Sequence, residues 1–185
     1  MLVVGNDEEA VEADLASGRL CCPGCGGPLG RYGWARRRLL RTLGEDRELR
    51  PRRGWCTACE AAHVLLPAWS VPRRRDAAEV IMAALLAKAA GAGHRAIAVA
   101  LDRPTGTVRG WLRRATARAE ITRSVATRWV HALDPSAGPI EPAGSLLGDA
   151  IEALGVALGA AVRRFGPHHS CSVIAATAGL LSPDG

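Results

Sequence analysis

Two C-x-x-C pairs are the residues of this chain whose types and spacing best support chemistry. They are "CPGC", with Cys22 and Cys25, and "CTAC", with Cys56 and Cys59, and 30 residues separate the two pairs. Each C-x-x-C turn can present two thiolates to one ion, and zinc prefers four tetrahedral sulfur or nitrogen ligands. The spacing therefore predicts one closed zinc site with these four cysteines as ligands.

Three nearby residues bear on the ligand set and leave it open. Cys21 abuts Cys22 and could take its place through a C-x3-C spacing, and His63 could replace a cysteine in a mixed site. Glu60 follows the second pair at a position where zinc knuckles usually have glycine. A further group near the C-terminus has no second cluster to complete a coordination shell, so no metal site is predicted at His168, His169 and Cys171.

A tryptophan directly before a C-x-x-C is also how thioredoxin-like redox centres begin, as in "GWCTAC" at Trp55. Such a centre needs the motif at the start of a helix, where the pKa of the thiol is lowered. The segment that follows, "VLLPAWSVP", is too rich in proline for that helix. A structural zinc site is therefore favoured, with Trp55 as a packing residue, and a thiol oxidoreductase is the remote alternative.

The sequence between the pairs predicts the element that brings them together. "PLGRYGWARRRLLRTL" and "ELRPRRGW" are typical of two strands joined by a polar turn at residues 44–47. Such a hairpin makes a zinc ribbon, which we assign to residues 21–72. A β unit this small buries too little apolar area to fold alone. Metal binding is expected to contribute folding free energy on the order of 10 kcal/mol.

Apolar residues at helical spacing follow the ribbon. In residues 94–114, "HRAIAVALDRPTGTVRGWLRR", a short helix carries Ile97, Ala98 and Leu101 on one face, "DRPT" interrupts it, and the period then restarts. This pattern predicts a helix-turn-helix, with "AAEVIMAALLAKAAGAG" as the third helix of a tri-helical core. The apolar positions of the second helix are Val108, Trp111, Leu112 and Ala115.

The outward side of that second helix is polar and basic. A recognition helix reads bases in the major groove through its N-terminal residues, and arginine reads guanine with two hydrogen bonds. Arg109 and Arg113, one turn apart, are therefore the candidate base contacts. The other candidate DNA contacts are two threonines and three arginines, the arginines at backbone phosphates: Thr105, Thr107, Arg95, Arg103 and Arg114. The alternative is a solvated basic face on a structural helix pair.

The net charge of +6 conceals a segregation along the chain. Residues 1–18 carry five acidic residues and no basic one, whereas residues 19–128 carry 22 basic and eight acidic residues, a net charge of +14. A block this basic attracts a polyanion, and its arginines release counterions when they bind phosphate. GC-rich codon usage would explain arginine over lysine, but not its position along the chain. A nucleic acid is therefore the predicted partner, and together with the helix-turn-helix the prediction is double-stranded DNA.

Glycine and proline divide this chain, predicted to be α+β, into five parts. An acidic lead-in (1–20) and the ribbon precede a mainly α helix-turn-helix domain (76–133), a linker (134–144) and a C-terminal helical segment (145–185). No apolar run reaches the roughly 18 residues of a membrane span, and the N-terminus is acidic where a secretory signal would be basic. We therefore expect a cytoplasmic protein without membrane contact, whose cysteines stay reduced.

Apolar residues continue past the predicted recognition helix. Ile121, Val125, Trp129 and Leu133 follow at a spacing of four, and a second helical stripe runs through residues 147–165. Both stripes could bury against the core or form a homodimer. Internal core is the commoner use of such stripes, so the homodimer is the second interpretation.

The ribbon and the helix pair together resemble known proteins. "CPGCGGPLGRYGWARRRLLRTL...RPRRGWCTACEAAHVLLPAW" followed by "GAGHRAIAVALDRPTGTVRGWLRR" resembles an uncharacterised actinobacterial family with a zinc ribbon and a helix-turn-helix. It is also similar to the N-terminal DNA-binding region of some insertion-sequence transposases. The resemblance covers about residues 20–115, and Asp102 stands where the turn usually has glycine. It implies zinc on the paired cysteines, a recognition helix at residues 105–114, and a separate transposase subunit as a candidate partner.

A catalytic domain of a transposase would hold two metal ions with acidic residues of a mixed α/β domain. After Arg128 only five acidic residues remain, on a linker, a helix and a tail: Asp134, Glu141, Asp149, Glu152 and Asp184. The sequence therefore predicts no enzyme activity. It predicts a zinc-dependent, sequence-specific DNA-binding protein, either a transcriptional regulator or the DNA-targeting component of a mobile element. An RNA-binding or RNA-polymerase-associated zinc-ribbon protein is the alternative.

Overall fold

A computed structural model describes residues 1–166 of the chain. The chain divides into two compact units, Met1–Ala78 and Glu79–Gly185. Within the described residues the strands all belong to the first unit, and the second unit is helical, so the predicted α+β class is confirmed. Across residues 1–166, no helix has both the length and the apolar character that crossing a bilayer requires. His168, His169 and Cys171 lie outside the described residues.

Two sheets form the first unit. Its strands within the described residues are β1 (Leu2–Val4), β2 (Leu29–Trp34), β3 (Arg38–Leu40), β4 (Arg47–Leu49), β5 (Arg52–Cys56) and β6 (Ala61–Pro67). The larger sheet has the order β1-β6-β5-β2, and β3 and β4 form a two-stranded sheet. Strand β1 runs parallel to β6, whereas β5 is antiparallel to both of its neighbours.

The predicted ribbon hairpin is present, but it consists of four strands rather than two. Strand β2 pairs with β5, and β3 pairs with β4 closer to the turn. Gly33, at φ 76°, lies where the β2–β5 register shifts, between Arg31 and Trp34. At the open end of the hairpin Leu29 is opposite Cys56. The pairing therefore carries the chain from the first C-x-x-C pair back to the second.

Helix α1 (Glu8–Ala16) packs on the larger sheet. Asp7 caps the helix by accepting a hydrogen bond from the backbone N–H of Glu9 at 3.0 Å, which satisfies a donor that the helix leaves unpaired. Val11 and Leu15 are buried in the same core cluster as Cys56. The acidic first residues, expected as a lead-in, thus contribute a strand and a helix to the first unit.

Up to residue 166 four helices follow: α2 (Ala78–Ala89), α3 (His94–Ala100), α4 (Thr105–Leu133) and α5 (Leu146–Phe165). Helices α3 and α4 pack against each other across a short turn, and Ile97, Val108 and Trp111 are buried. In that turn Asp102 has a φ of 50°, a left-handed conformation that aspartate tolerates better than most residues. The two helices and the turn therefore lie where the sequence pattern predicts them.

Helices α4 and α5 pack through small residues. The buried positions of α4 beyond the first turns include Ala119 and Ala126, and most buried positions of α5 are alanines as well. Ile121 of the expected stripe is 68% exposed and Trp129 is 37% exposed. The expected burial of that stripe is therefore wrong for Ile121. Alanine on both helices lets the two backbones approach closely, so α5 packs on the face of α4 that carries the alanines and not on the face that carries Ile121.

Candidate metal centre

The first cysteine turn, residues 22–25, is fixed by backbone hydrogen bonds. The Cys22 N–H donates to the Gly27 carbonyl at 2.7 Å, and the Gly26 N–H donates to the Cys22 carbonyl at 2.9 Å. Gly26 has a φ of 74°, which glycine adopts without steric cost. The "CPGCGG" composition thus supplies a tight turn that holds two sulfurs on one side.

Gly27 allows the two cysteine turns to approach. A Cβ atom at this position would lie 3.1 Å from the Cβ of Ala58 and 3.3 Å from the Sγ of Cys56. It would also lie 3.5 Å from the Sγ of Cys25. Only a residue without a side chain fits this space without displacing a neighbour. The spacing of the cysteines does not indicate this role of Gly27, although "CGG", which begins at the last cysteine of the first pair, is a signal for it.

The second turn, residues 56–59, connects β5 to β6. Glu60 follows it with a φ of 53°, so the position that usually holds glycine keeps the left-handed backbone here with a different residue. Trp55 stacks on Tyr32 with ring centroids 5.0 Å apart, which agrees with its expected packing role. The motif lies between two strands, whereas a thioredoxin-like centre needs it at the start of a helix.

The four sulfurs form one compact group. The Sγ atoms of Cys22 and Cys59 are 3.6 Å apart, those of Cys25 and Cys56 are 3.5 Å apart, and all four lie within 4.8 Å of one another. A tetrahedron with metal–sulfur bonds of about 2.3 Å has sulfur–sulfur edges of about 3.8 Å. Cys22 and Cys56 are buried, whereas Cys25 and Cys59 are exposed. The group can therefore hold one metal ion.

Electrostatics within the group also favour a shared cation. The backbone N–H of Gly24 donates to the Cys22 sulfur at 3.4 Å and contributes most to lowering the pKa of that thiol to about 6. The pKa of the Cys59 thiol is raised to about 12; its hydrogen bond with the Cys25 sulfur contributes most, and its hydrogen bond with the Cys22 sulfur comes next. Four thiolates this close repel one another, and a divalent cation bound by all four would offset that repulsion.

The two alternative ligands occupy different places. The Cys21 sulfur lies outside the four-sulfur group, 3.8 Å from the carbonyl oxygen of Arg19. His63 is closer: its Nε2 is 3.3 Å from the Cys22 sulfur. An imidazole at this distance can donate to a thiolate without being a ligand itself. His63 therefore borders the site, a position that the spacing of the cysteines alone does not indicate.

The predicted DNA contacts belong to the second unit and lie on or beside α3 and α4. Arg109 and Arg113 are exposed one turn apart, and Arg95 is exposed on α3. Of the other four predicted contact residues, Thr105 is exposed. The remaining three are half-buried: Thr107, Arg103 and Arg114. The Arg103 guanidinium donates to the Leu101 carbonyl at 3.0 Å. The Arg114 side chain lies over Gly110, so these two arginines contact their own backbone region.

The chain thus has a small β hairpin with four cysteine sulfurs at its end, which could hold a metal ion, and helices follow this hairpin. Residues 22–111 are similar to the family model of a domain of unknown function, DUF6431. That match spans 90 of the 185 residues and includes all four cysteines and the start of α4. No match was found among the curated proteins or the solved structures. The resemblance to transposases therefore stays a prediction.

Proposed function

We propose that this chain is a zinc-dependent, sequence-specific DNA-binding protein. The observation that carries the proposal is the four-sulfur group with all Sγ atoms within 4.8 Å. Four thiolates in a tetrahedron are the donor set of structural zinc and of some iron sites. Metal analysis of the purified chain tests this step. About one zinc per chain is expected, and a chain that folds without any metal would contradict it.

DNA binding is supported by the basic start of α4. Its first residues follow a short turn, and the backbone N–H groups of a helix N-terminus attract phosphate. Arg109 and Arg113 extend from the exposed side, whereas Val108 and Trp111 anchor the other side in the core. This arrangement leaves the arginines free of a packing role. A helix anchored in this way can enter a major groove without rearrangement.

Two of the acidic residues after Arg128, Asp134 and Asp149, have structural partners, which supports a binding role rather than catalysis. Asp134 accepts from the Ser136 hydroxyl at 2.7 Å and pairs with Arg163 at 3.4 Å. Asp149 accepts from the backbone N–H of Ala143 at 2.7 Å. These contacts lie at the ends of the linker between α4 and α5. A pair of metal ions for strand transfer would need such carboxylates to converge instead.

Selection of bound duplexes from a random pool tests sequence-specific DNA binding. The Arg109→Ala and Arg113→Ala variants should each weaken binding to the selected duplex by about 1–3 kcal/mol and relax its preferred sequence. Arg128→Ala is the matched control, because Arg128 is an exposed arginine further along the same helix. Equal affinity of the parent and both variants would refute the assignment of the recognition helix.

One observation favours the RNA alternative. Tyr32 and Trp34, on β2, are 45% and 46% exposed. The guanidinium carbons of Arg53 and Arg52 lie 4.6 Å from the centroids of the Tyr32 and Trp34 rings, respectively. Exposed aromatic rings beside arginines on a strand are the surface on which unpaired bases stack. Competition between single-stranded RNA and the selected duplex at matched salt distinguishes the two functions.

The exposed side chains of Ile121 and Trp129 on α4 support a homodimer as an additional proposal. Two half-sites on DNA would need such a pairing. Light scattering of the parent and of Ile121→Glu measures it directly. A monomeric parent would leave these residues as isolated exposed side chains.

A further inference from the structure

A groove in the first unit is lined by arginines from two distant parts of the chain. These are residues 36–38 with Arg41, and residues 73–75. The groove has a volume of about 720 Å³ and one acidic side chain in its lining, Asp46. Both triplets read "RRR" in the sequence, so the signal was visible there. What the sequence does not show is that the triplets meet.

Backbone pairing brings the two triplets together. The Arg41 N–H donates to the Arg75 carbonyl at 2.7 Å, and the Ala77 N–H donates to the Arg41 carbonyl at 2.8 Å. The buried Asp76 carboxylate accepts from the Arg41 guanidinium at 2.8 Å. Arg73 has a φ of 59°, a conformation that costs a non-glycine residue about 1 kcal/mol or more. The fold thus holds the second triplet against the end of β3 at a cost in backbone strain.

Several guanidinium nitrogens in the groove are buried without a hydrogen-bond partner among the described residues. They are Nε and Nη2 of Arg38, Nε of Arg41 and Nε of Arg74. Burial also lowers the pKa of the Arg38 guanidinium. A buried donor without an acceptor is unfavourable, and more so on a charged group. These nitrogens are therefore donors that an anion in the groove could satisfy once the arginine side chains turn toward it.

The balance of charge indicates how large that anion is. Arg37 and Arg41 have carboxylate partners, Glu48 and Asp76. With Asp46 these make three carboxylates against the six groove guanidinium groups other than that of Arg73, so three positive charges remain in excess. Inorganic phosphate carries roughly two negative charges at neutral pH. A strand with one charge about every 3.4 Å could neutralise the whole groove.

We propose that this arginine groove binds the phosphodiester backbone of a nucleic acid, through contacts that carry no sequence information. It is a second binding surface, on the first unit, and it does not depend on the recognition role of α4. Guanidinium groups donate two hydrogen bonds to phosphate in one plane, which suits the unpaired nitrogens of Arg38 and Arg74. Each phosphate contact releases counterions, so the groove makes affinity dependent on salt.

The test measures the salt dependence of affinity for a duplex of arbitrary sequence, using the full chain with its bound metal. Arg38→Gln combined with Arg74→Gln removes two groove charges. Arg19→Gln combined with Arg128→Gln is the control, because it changes net charge equally at two exposed arginines outside the groove. The groove variant should bind on the order of ten- to a hundredfold more weakly at 0.1 M salt, and the slope of log K against log salt should fall by about 1.8.

Further arms separate the explanations. Arg38→Lys with Arg74→Lys keeps both charges and should restore the slope. Metal content and thermal unfolding of each variant show whether it folds. If the glutamine variant misfolds, the affinity of the lysine variant is compared with that of the parent, because lysine keeps the charge but not the hydrogen-bond geometry of arginine. Equal slopes for the groove and control variants would overturn the proposal. Displacement of the duplex by millimolar inorganic phosphate, but not by chloride at equal ionic strength, would overturn it in favour of a site for free phosphate.

These outcomes are distinct from those that test the recognition helix. Loss of a groove contact lowers affinity for every duplex alike, and the sequence preference obtained by selection stays unchanged. Loss of Arg109 or Arg113 changes the preference itself. The groove can therefore be refuted while the helix assignment holds, and the reverse is also true.

Discussion

Replacement of Gly27 by alanine tests whether the approach of the two cysteine turns creates the metal centre. The new methyl group would lie 3.1 Å from the Cβ of Ala58 and 3.3 Å from the Sγ of Cys56. Carbon atoms in favourable contact are about 3.5–4.0 Å apart, so both turns would have to separate by a few tenths of an ångström. Inserting one methyl group into a well-packed site costs about 1–3 kcal/mol.

That cost should appear in the affinity for metal. If metal binding and folding of the first unit are coupled as proposed, 1–3 kcal/mol corresponds to roughly 5- to 150-fold weaker apparent binding. A competition titration against a chromophoric chelator at fixed pH measures the change. Gly24→Ala is the matched control, since its methyl group would meet the Cys22 sulfur at 3.8 Å, an ordinary contact.

The two variants should also differ in rank, with Gly27→Ala the weaker binder of metal. Gly24→Ala keeps the backbone N–H that donates to Cys22, and should bind metal like the parent. If Gly27→Ala binds metal as tightly as the parent, or if Gly24→Ala is the weaker of the two variants, close approach at Gly27 does not determine the geometry of the site.

Three further outcomes are expected. Chelation should abolish the cooperative thermal unfolding of the first unit, because two of the sulfurs, those of Cys22 and Cys56, are part of its core; an unchanged melting curve in chelator would contradict a structural metal. Glu12→Gln should destabilise the chain at neutral pH. The hydrogen bond from Arg52 lowers the pKa of Glu12. The ionised Glu12 carboxylate therefore stabilises the fold fully above the usual glutamate pKa of about 4.3, and this stabilisation is lost as pH falls through the lowered pKa. Denaturation of both proteins across pH 2 to 7 should show their difference disappearing in acid, and a constant difference would refute this. In the turn before α4, Asp102→Val should lower the free energy of unfolding by about 1–2 kcal/mol relative to Asp102→Gly, because Asp102 has a φ of 50°; equal melting temperatures would count against strain there.

The sequence predicted the group of four cysteines more completely than the elements around it. Paired cysteines are local signals, because each turn places its own two sulfurs and only one hairpin is needed to bring the turns together. The contribution of β1 to the sheet is different. Leu2–Val4 is three residues long and pairs with β6 from far along the chain. Nothing in so short a segment specifies its partner, so that pairing depends on tertiary contacts.

The helical unit illustrates the same limit for packing. Large apolar residues at a spacing of four favoured burial of Ile121, whereas the structure buries the alanines beside it. Alanine contributes little to an apolar pattern, but it allows two helices to pack closely. The choice between adjacent faces of α4 is made by α5, whose own buried residues are largely alanine. A single helix cannot reveal that complementarity.

Tertiary contacts decide which surfaces keep an excess of charge, and position in the sequence does not reveal those contacts. The acidic first residues pair with particular arginines: Glu12 with Arg52 and Arg31, and Asp14 with Arg19. None of these arginines lines the groove. The acids of α1 therefore neutralise a different part of the first unit and leave the groove with its excess of positive charge. A net charge of +14 over residues 19–128 thus becomes a local property of particular surfaces, which is the form in which it can attract a polyanion.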